Sequence, residues 1–130
     1  MHLAWQIVSA ANFYTVHAWR EAVGPYAEGI IFGGARVDPQ AGRNFIRAYR
    51  TKMGFEPGYA QGELYDTVTL IAYAIAHGGG SGDGIRDALA NLKGVPSVLG
   101  GTIAMGADHY TVIPSIALWQ VRHGVELRVA

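Results

Sequence analysis

The sequence predicts an α/β fold, a mostly parallel sheet flanked by helices and finished by a C-terminal β-hairpin. Three observations carry that expectation. Short apolar segments alternate with helix-periodic ones through the first two thirds of the chain. The last part changes pattern: along residues 112–122, Ile116, Leu118 and Gln120 alternate with Ala117, Trp119 and Val121, as on a strand. The eighteen glycines fall mostly at the junctions between segments.

The elements follow in order. Residues 3–8 read as a buried strand. The apolar run 3–11 makes a poor signal peptide, because no Lys or Arg precedes it and Trp5, Gln6 and Ser9 interrupt it. A helix over 14–23 ends at Gly24-Pro25, and 29–32 form a short apolar strand before Gly33-Gly34. Asp38-Pro39 opens the next helix, since the carboxylate caps free N–H groups and proline fits the first turn. That helix runs to Met53 and stops at Gly54, with Ala41, Phe45, Ala48, Tyr49 and Met53 on one stripe. A helix over 61–77, closed by Gly78, is apolar nearly all round, and burial of Val68, Ile71, Ala72 and Ile75 is expected. A flexible connector over 78–84 leads into a short helix started by Asp83, whose stripe is Ile85, Ala88, Leu89 and Leu92 before Gly94. Strands are expected over 101–105 and 112–122. His123-Gly124 then forms a two-residue turn into a strand over 125–129, with glycine supplying the positive φ such turns need.

Composition bounds the function. A chain of 130 residues, half of them hydrophobic, fills one core and has no room for two. Ten basic residues balance ten acidic ones, so no overall field draws nucleic acid or an anionic membrane. The longest apolar run, 68–76 with Thr69 inside it, falls well short of the ~20 residues a membrane span needs. With no cysteine, thiol nucleophiles, thiolate metal sites and disulfides are absent together.

The five histidines, His2, His17, His77, His109 and His123, show no ligand spacing, so no metal site is expected. Residues 80–84 follow a helix, lack a Lys-Ser/Thr ending and carry Asp83, so they read as a connector and not as a phosphate loop. Ser9, Ser81 and Ser97 sit in no nucleophile elbow, and no constellation of nucleophile, base and oxyanion donors is present, which argues against an enzyme. Arg36, Arg43, Arg47, Arg50 and Lys52 form a local basic region. It is either a docking face for an acidic partner or a solvated helix face with cations near the C-terminus, and the second reading is preferred. Glu28, at the start of a short strand, is either an exposed loop glutamate or a carboxylate bordering a cleft and able to pair with an ammonium group. From residue chemistry alone, Tyr65 reads as core and Asp66 as a helix-start residue.

The segments AEGIIF (27–32), DPQAGRNFIRAYRTKMG (38–54), the YD-containing helix and VRHG (121–124) come in an order and spacing that covers nearly the whole chain. Together they resemble the C-terminal portion of type I periplasmic solute-binding proteins of the branched-chain amino-acid ABC-transporter class. The resemblance implies an incomplete two-lobed binding protein, in which 1–35 and about 112–130 belong to one lobe and about 38–100 to the other. It makes 33–37 and the strands after Gly100 crossovers between lobes that close by hinge motion.

The resemblance also assigns chemistry. Glu28 would hold a ligand ammonium and Tyr65 would pack near the ligand from the opposite lobe, while the groups that grip the ligand carboxylate would lie ahead of Met1. The implied function is capture of a small amino acid such as Leu, Ile or Val, or a related amide, for delivery to an ABC permease in the periplasm or another extracytoplasmic space. No cofactor, metal or nucleic acid is implied. The alternative is a ligand-sensing regulatory domain of the same fold. The long helix lacks cover within so short a chain, and this adds an expectation of a homo-oligomer.

Overall fold

A computed structural model describes residues 6–9, 17–108 and 116–129, so residues 3–5, 14–16 and 112–115 of the expected elements lie outside the described residues. Helix α1 (His17–Val23) runs into a 3-10 turn (Gly24–Ala27), where Gly24 and Pro25 stop the α-helix as expected. The turn delivers the chain to β2 (Ile31–Gly34), which pairs in parallel with β1 (Val8–Ser9). Far along the chain, β5 (Ala117–Arg122) lies antiparallel on the other side of β2, and β6 (Val125–Arg128) adds the outer edge, giving the order β1-β2-β5-β6.

The mixed α/β class is as expected, but the sheet is not mostly parallel. Among the described residues only β1 and β2 pair in parallel, because β5 runs back along β2 (Ile31 opposite Gln120, Gly34 opposite Ala117) and the closing hairpin forces a second antiparallel pairing. At that hairpin His123 (φ 52°) and Gly124 (φ 72°) both take positive φ, the geometry a two-residue turn requires. The predicted alternation holds: Ala117 and Val121 are buried while Ile116 and Leu118 are exposed. Phe32 and Val121 pack with Ala27, and Trp19, Val23, Ile30 and Trp119 close around them, so α1 and the 3-10 turn cover this core.

The rest of the chain builds a second, mainly helical part. Asp38 caps as its chemistry predicts, its Oδ1 accepting from the N–H groups of Gln40 (2.8 Å) and Ala41 (2.7 Å). Yet it organises a turn, and helix α2 (Arg43–Met53) starts only after Gly42, later than the Asp38-Pro39 start expected. Gly42 is pressed onto the backbone carbonyls of Asp38 and Val98, and no Cβ fits there. Helix α3 (Tyr59–Gly78) is the long helix, and α4 (Gly82–Ala90) packs beside it after a three-residue connector. Ser81, not Asp83, caps α4 by accepting from the Gly84 N–H at 3.1 Å. A small hairpin, β3 (Val95–Pro96) with β4 (Thr102–Ile103), replaces the longer strand expected over 101–105.

The face α3 buries differs from the one expected. Gly62, Asp66 and Ala74 are buried, with Leu70 and Tyr73 packed toward Leu92, Val95 and Ile103. Val68 (67% exposed), Ile71 and Ile75 (48% each) face outward, as does Ala72. The expected burial of these four residues is therefore corrected. A helix that is apolar on every side carries no periodic contrast to show which side packs, and here the contact with the 97–99 segment selects the side bearing a glycine and a carboxylate.

Candidate functional site

Glu28 ends the 3-10 turn and is exposed. Its backbone is well held. The Glu28 N–H donates to the Pro25 carbonyl (3.2 Å), the Gly29 N–H donates to Val121 (2.9 Å), and the Gly29 carbonyl accepts from the side chains of Gln6 (2.7 Å) and Gln120 (3.2 Å). The Glu28 carboxylate pairs with no described residue.

Tyr65 lies on α3, 47% exposed, with its ring 4.8 Å from that of Phe45. It closes a run of aromatic contacts, Phe45 to Tyr49 (5.7 Å), Tyr49 to Phe55 (5.6 Å) and Phe55 to His17 (4.2 Å, stacked). One side of the ring is therefore held by packing and the other is open, in place of the core position its chemistry alone suggested. Glu28 belongs to the sheet part and Tyr65 to the helical part. Neither lines either of the two cavities described below.

Asp66 has a different role from the helix-start position expected of it. It is 5% exposed, and its two oxygens accept from the Ser97 hydroxyl (2.5 Å) and the Val98 N–H (3.0 Å). Ser97 in turn accepts from the Leu99 N–H at 2.9 Å. The carboxylate thus anchors the 97–99 segment to α3 with charge-assisted hydrogen bonds. Gly62, one turn earlier on the same face, lets Leu99 and Val37 lie against the helix: a Cβ there would stand 2.8 Å from a methyl of each. A carboxylate and a glycine at i and i+4 was the sequence signal for this contact.

The two parts meet at the crossover after β2. Ala35 and Val37 are buried, and Trp119 Nε1 donates to the Gly34 carbonyl at 2.8 Å. The Arg36 guanidinium lies 4.8 Å from the Trp119 ring centre and 3.7 Å from Glu126. A cavity of about 200 Å³ touches this seam, lined by Asp38, Leu99, Ala117 and Arg128 among others. A larger cleft of about 800 Å³ opens on the side of α2 and the β5–β6 turn. Tyr59 lines it, its phenol raised above the ordinary value by burial first and then by the charge and hydrogen bond of Glu63. Among the described residues no group of three or more potential metal-ligating side chains occurs, and no helix is long and apolar enough to cross a membrane.

This arrangement matches solved structures closely. The extracellular ligand-binding receptor of Desulfohalobium retbaense superposes with a TM-score of 0.78 at 20% identity, over 98% of this chain and 22% of that one. The leucine-binding protein of Thermotoga maritima gives 0.74 at 20% identity, over 87% of this chain and 33% of that one. A solute-binding protein of an ABC transporter from R. palustris, solved with benzoate, gives 0.71 at 18% identity, over 85% and 31%. The chain has the α/β fold of the part of these structures it superposes on. The chain spans about a third of the length of most such structures, 33% of the leucine-binding protein and 38% of a branched-chain amino-acid transporter protein from Rhodospirillum rubrum. Its sequence matches no family model and no curated protein. These neighbours are ligand-binding and ABC-transporter proteins.

Proposed function

We propose that this chain is part of the extracytoplasmic solute-binding component of an ABC transporter, one that captures a small amino acid such as leucine, isoleucine or valine, or a related amide, and hands it to a permease. The observation that carries the reading is the superposition of nearly the whole chain on solute-binding structures, one of them complexed with leucine. In this reading 1–35 and about 112–130 contribute to one lobe and about 38–100 to the other. The seam at Gly34–Val37 would be one of the crossovers about which the lobes close.

Two side chains have the properties the clamp needs. Glu28 offers an exposed carboxylate on a fixed backbone, suited to a ligand ammonium, and Tyr65 offers the exposed side of a ring anchored by Phe45. The outward stripe of α3 supports self-association of this chain or cover by further polypeptide of the same fold.

Titration with leucine, isoleucine and valine, followed by the NMR shifts of residues 27–31 and 64–66, tests the assignment. Weak saturable binding is expected, because a half-site must order itself around its ligand. Glu28→Gln should weaken it about tenfold or more, the equivalent of one charge-assisted hydrogen bond. Shifts confined to other residues, or unchanged binding in the variant, would remove Glu28 from the site.

A further inference from the structure

The chain carries ten Lys and Arg residues and no net charge, yet five of its arginines line one cleft of about 800 Å³. Arg20 and Arg36 come from the sheet side, Arg43, Arg47 and Arg50 from α2. Two carboxylates share the cleft, and each faces one arginine: Glu126 meets Arg36 at 3.7 Å and Glu56 meets Arg50. Among the described residues the Arg43 guanidinium has no hydrogen-bond or ion-pair partner, and the Arg47 guanidinium donates only to the Asn44 side-chain oxygen at 3.2 Å. Positive charge is therefore left over within a concave space, where low-dielectric walls concentrate it.

A solvated helix face explains part of this cluster and fails for the rest. Arg50 and Lys52 stand in the last turn of α2, where cations complement the helix dipole. Arg43 is the first residue of α2, at the positive end of that dipole, and no acidic residue occupies the first turn. A cation there gains nothing from the dipole, and the Asp38 carboxylate just ahead of the helix is engaged by the Gln40 and Ala41 N–H groups.

We propose that this cleft binds a small polyanion, a molecule carrying two or more carboxylate or phosphate groups. Its volume falls within the ~300–1,000 Å³ typical of small-molecule sites. Guanidinium groups reach the cleft from both parts of the chain, and each can hold an oxyanion through paired N–H donors. Val37, Ile46 and Tyr59 supply the less polar lining between them. The site is separate from Glu28 and Tyr65, neither of which reaches the cleft, so it stands or falls independently of the amino-acid-binding reading.

Calorimetric titration of the full chain with citrate and with pyrophosphate, at fixed ionic strength and with acetate as the monovalent control, tests the proposal. One-to-one binding of either polyanion, at least about tenfold tighter than acetate, is expected, and which of the two saturates names the source chemistry. The double variant Arg43→Gln/Arg47→Gln changes two exposed side chains and should weaken binding by about tenfold or more per arginine. Arg86→Gln, on α4 and outside the cleft, should leave it unchanged. Leucine affinity should not respond to the double variant. Absence of saturable heat with both polyanions, wild-type binding by a folded double variant, or equal weakening by Arg86→Gln would overturn the proposal.

Discussion

Replacing Asp66 by alanine should destabilise the protein more than any other single change on α3. The substitution removes the acceptor of two hydrogen bonds, from the Ser97 hydroxyl at 2.5 Å and the Val98 N–H at 3.0 Å. It also leaves that N–H unpaired in a region where Ser97, Val98 and Leu99 are all under 9% exposed. Hydrogen bonds to a charged group contribute about 1.5–3 kcal/mol each. Because the two share one carboxylate and the loop can relax partly, a loss of about 3–5 kcal/mol is expected, a large share of the ~5–15 kcal/mol typical of a domain. Asp66→Asn keeps an oxygen for Val98 and loses the charge, so it should fall near 1–2 kcal/mol. Urea denaturation followed by circular dichroism measures both, read as a shift of midpoint at constant slope. A cycle with Ser97→Ala should return a coupling of about 1–2 kcal/mol. A loss under about 1 kcal/mol for Asp66→Ala, together with an additive cycle, would refute the idea that this carboxylate ties the 97–99 segment to the helix.

Gly62→Ala should destabilise by about 1–3 kcal/mol despite alanine's better helix propensity, because the new methyl meets Leu99 and Val37 at 2.8 Å. Gly82→Ala, with nothing within 4 Å, should be neutral or slightly stabilising in the same thermal melts. Val68→Glu and Ile71→Glu, both on the outward stripe, should abolish concentration-dependent association in sedimentation without lowering the melting temperature; a monomeric wild type at high concentration would dismiss that association. Burial and Glu63 raise the Tyr59 phenol, so the folded chain holds that proton more tightly than the unfolded one. This contribution is present below the ordinary value of 10.0 and lost as pH rises through the folded value. Tyr59→Phe should therefore flatten the alkaline fall in stability measured by denaturant titration.

Local chemistry made most elements legible. The Gly24-Pro25 stop, the His123-Gly124 turn and the alternation of β5 each depend on neighbouring residues alone, and each formed where expected. Two features depended on distant partners and were misread. Whether β5 runs with or against β2 is decided by the direction in which the chain returns after the helical part, and no local pattern records that. The packed side of α3 is decided by Val37, Val98 and Leu99. Hydrophobicity was nearly uniform around this helix, so only Gly62 and Asp66 marked the contact, and their i, i+4 spacing was legible in principle. Glu28 and Tyr65 were placed by resemblance. Residue chemistry alone allowed Glu28 to be an idle loop side chain and made Tyr65 part of a core, whereas the structure leaves Glu28 exposed without a partner among the described residues and Tyr65 half exposed.

The way the two parts are joined bears on how a ligand could act. Helix-on-helix packing of α3 with α4, and strand pairing of β2, β5 and β6, stay within their own parts. Among the described residues, the chain crosses the seam through Ala35 and Val37, and the His17–Phe55 stack joins the two parts. Arg36, pinned to Trp119 and Glu126 on the sheet side, stands where the chain crosses. Contacts of this kind permit a change of angle at modest free energy while each part stays intact, since no packed core has to open. Any ligand that touches both parts then shifts the angle only by the difference in its affinity for the two arrangements. A ligand held between Glu28 and Tyr65 meets that condition, and so does a polyanion spanning Arg20 and Arg43. Because the two sites would act on the same seam, occupancy of one should alter affinity at the other by equal factors in both directions if the angle is what couples them.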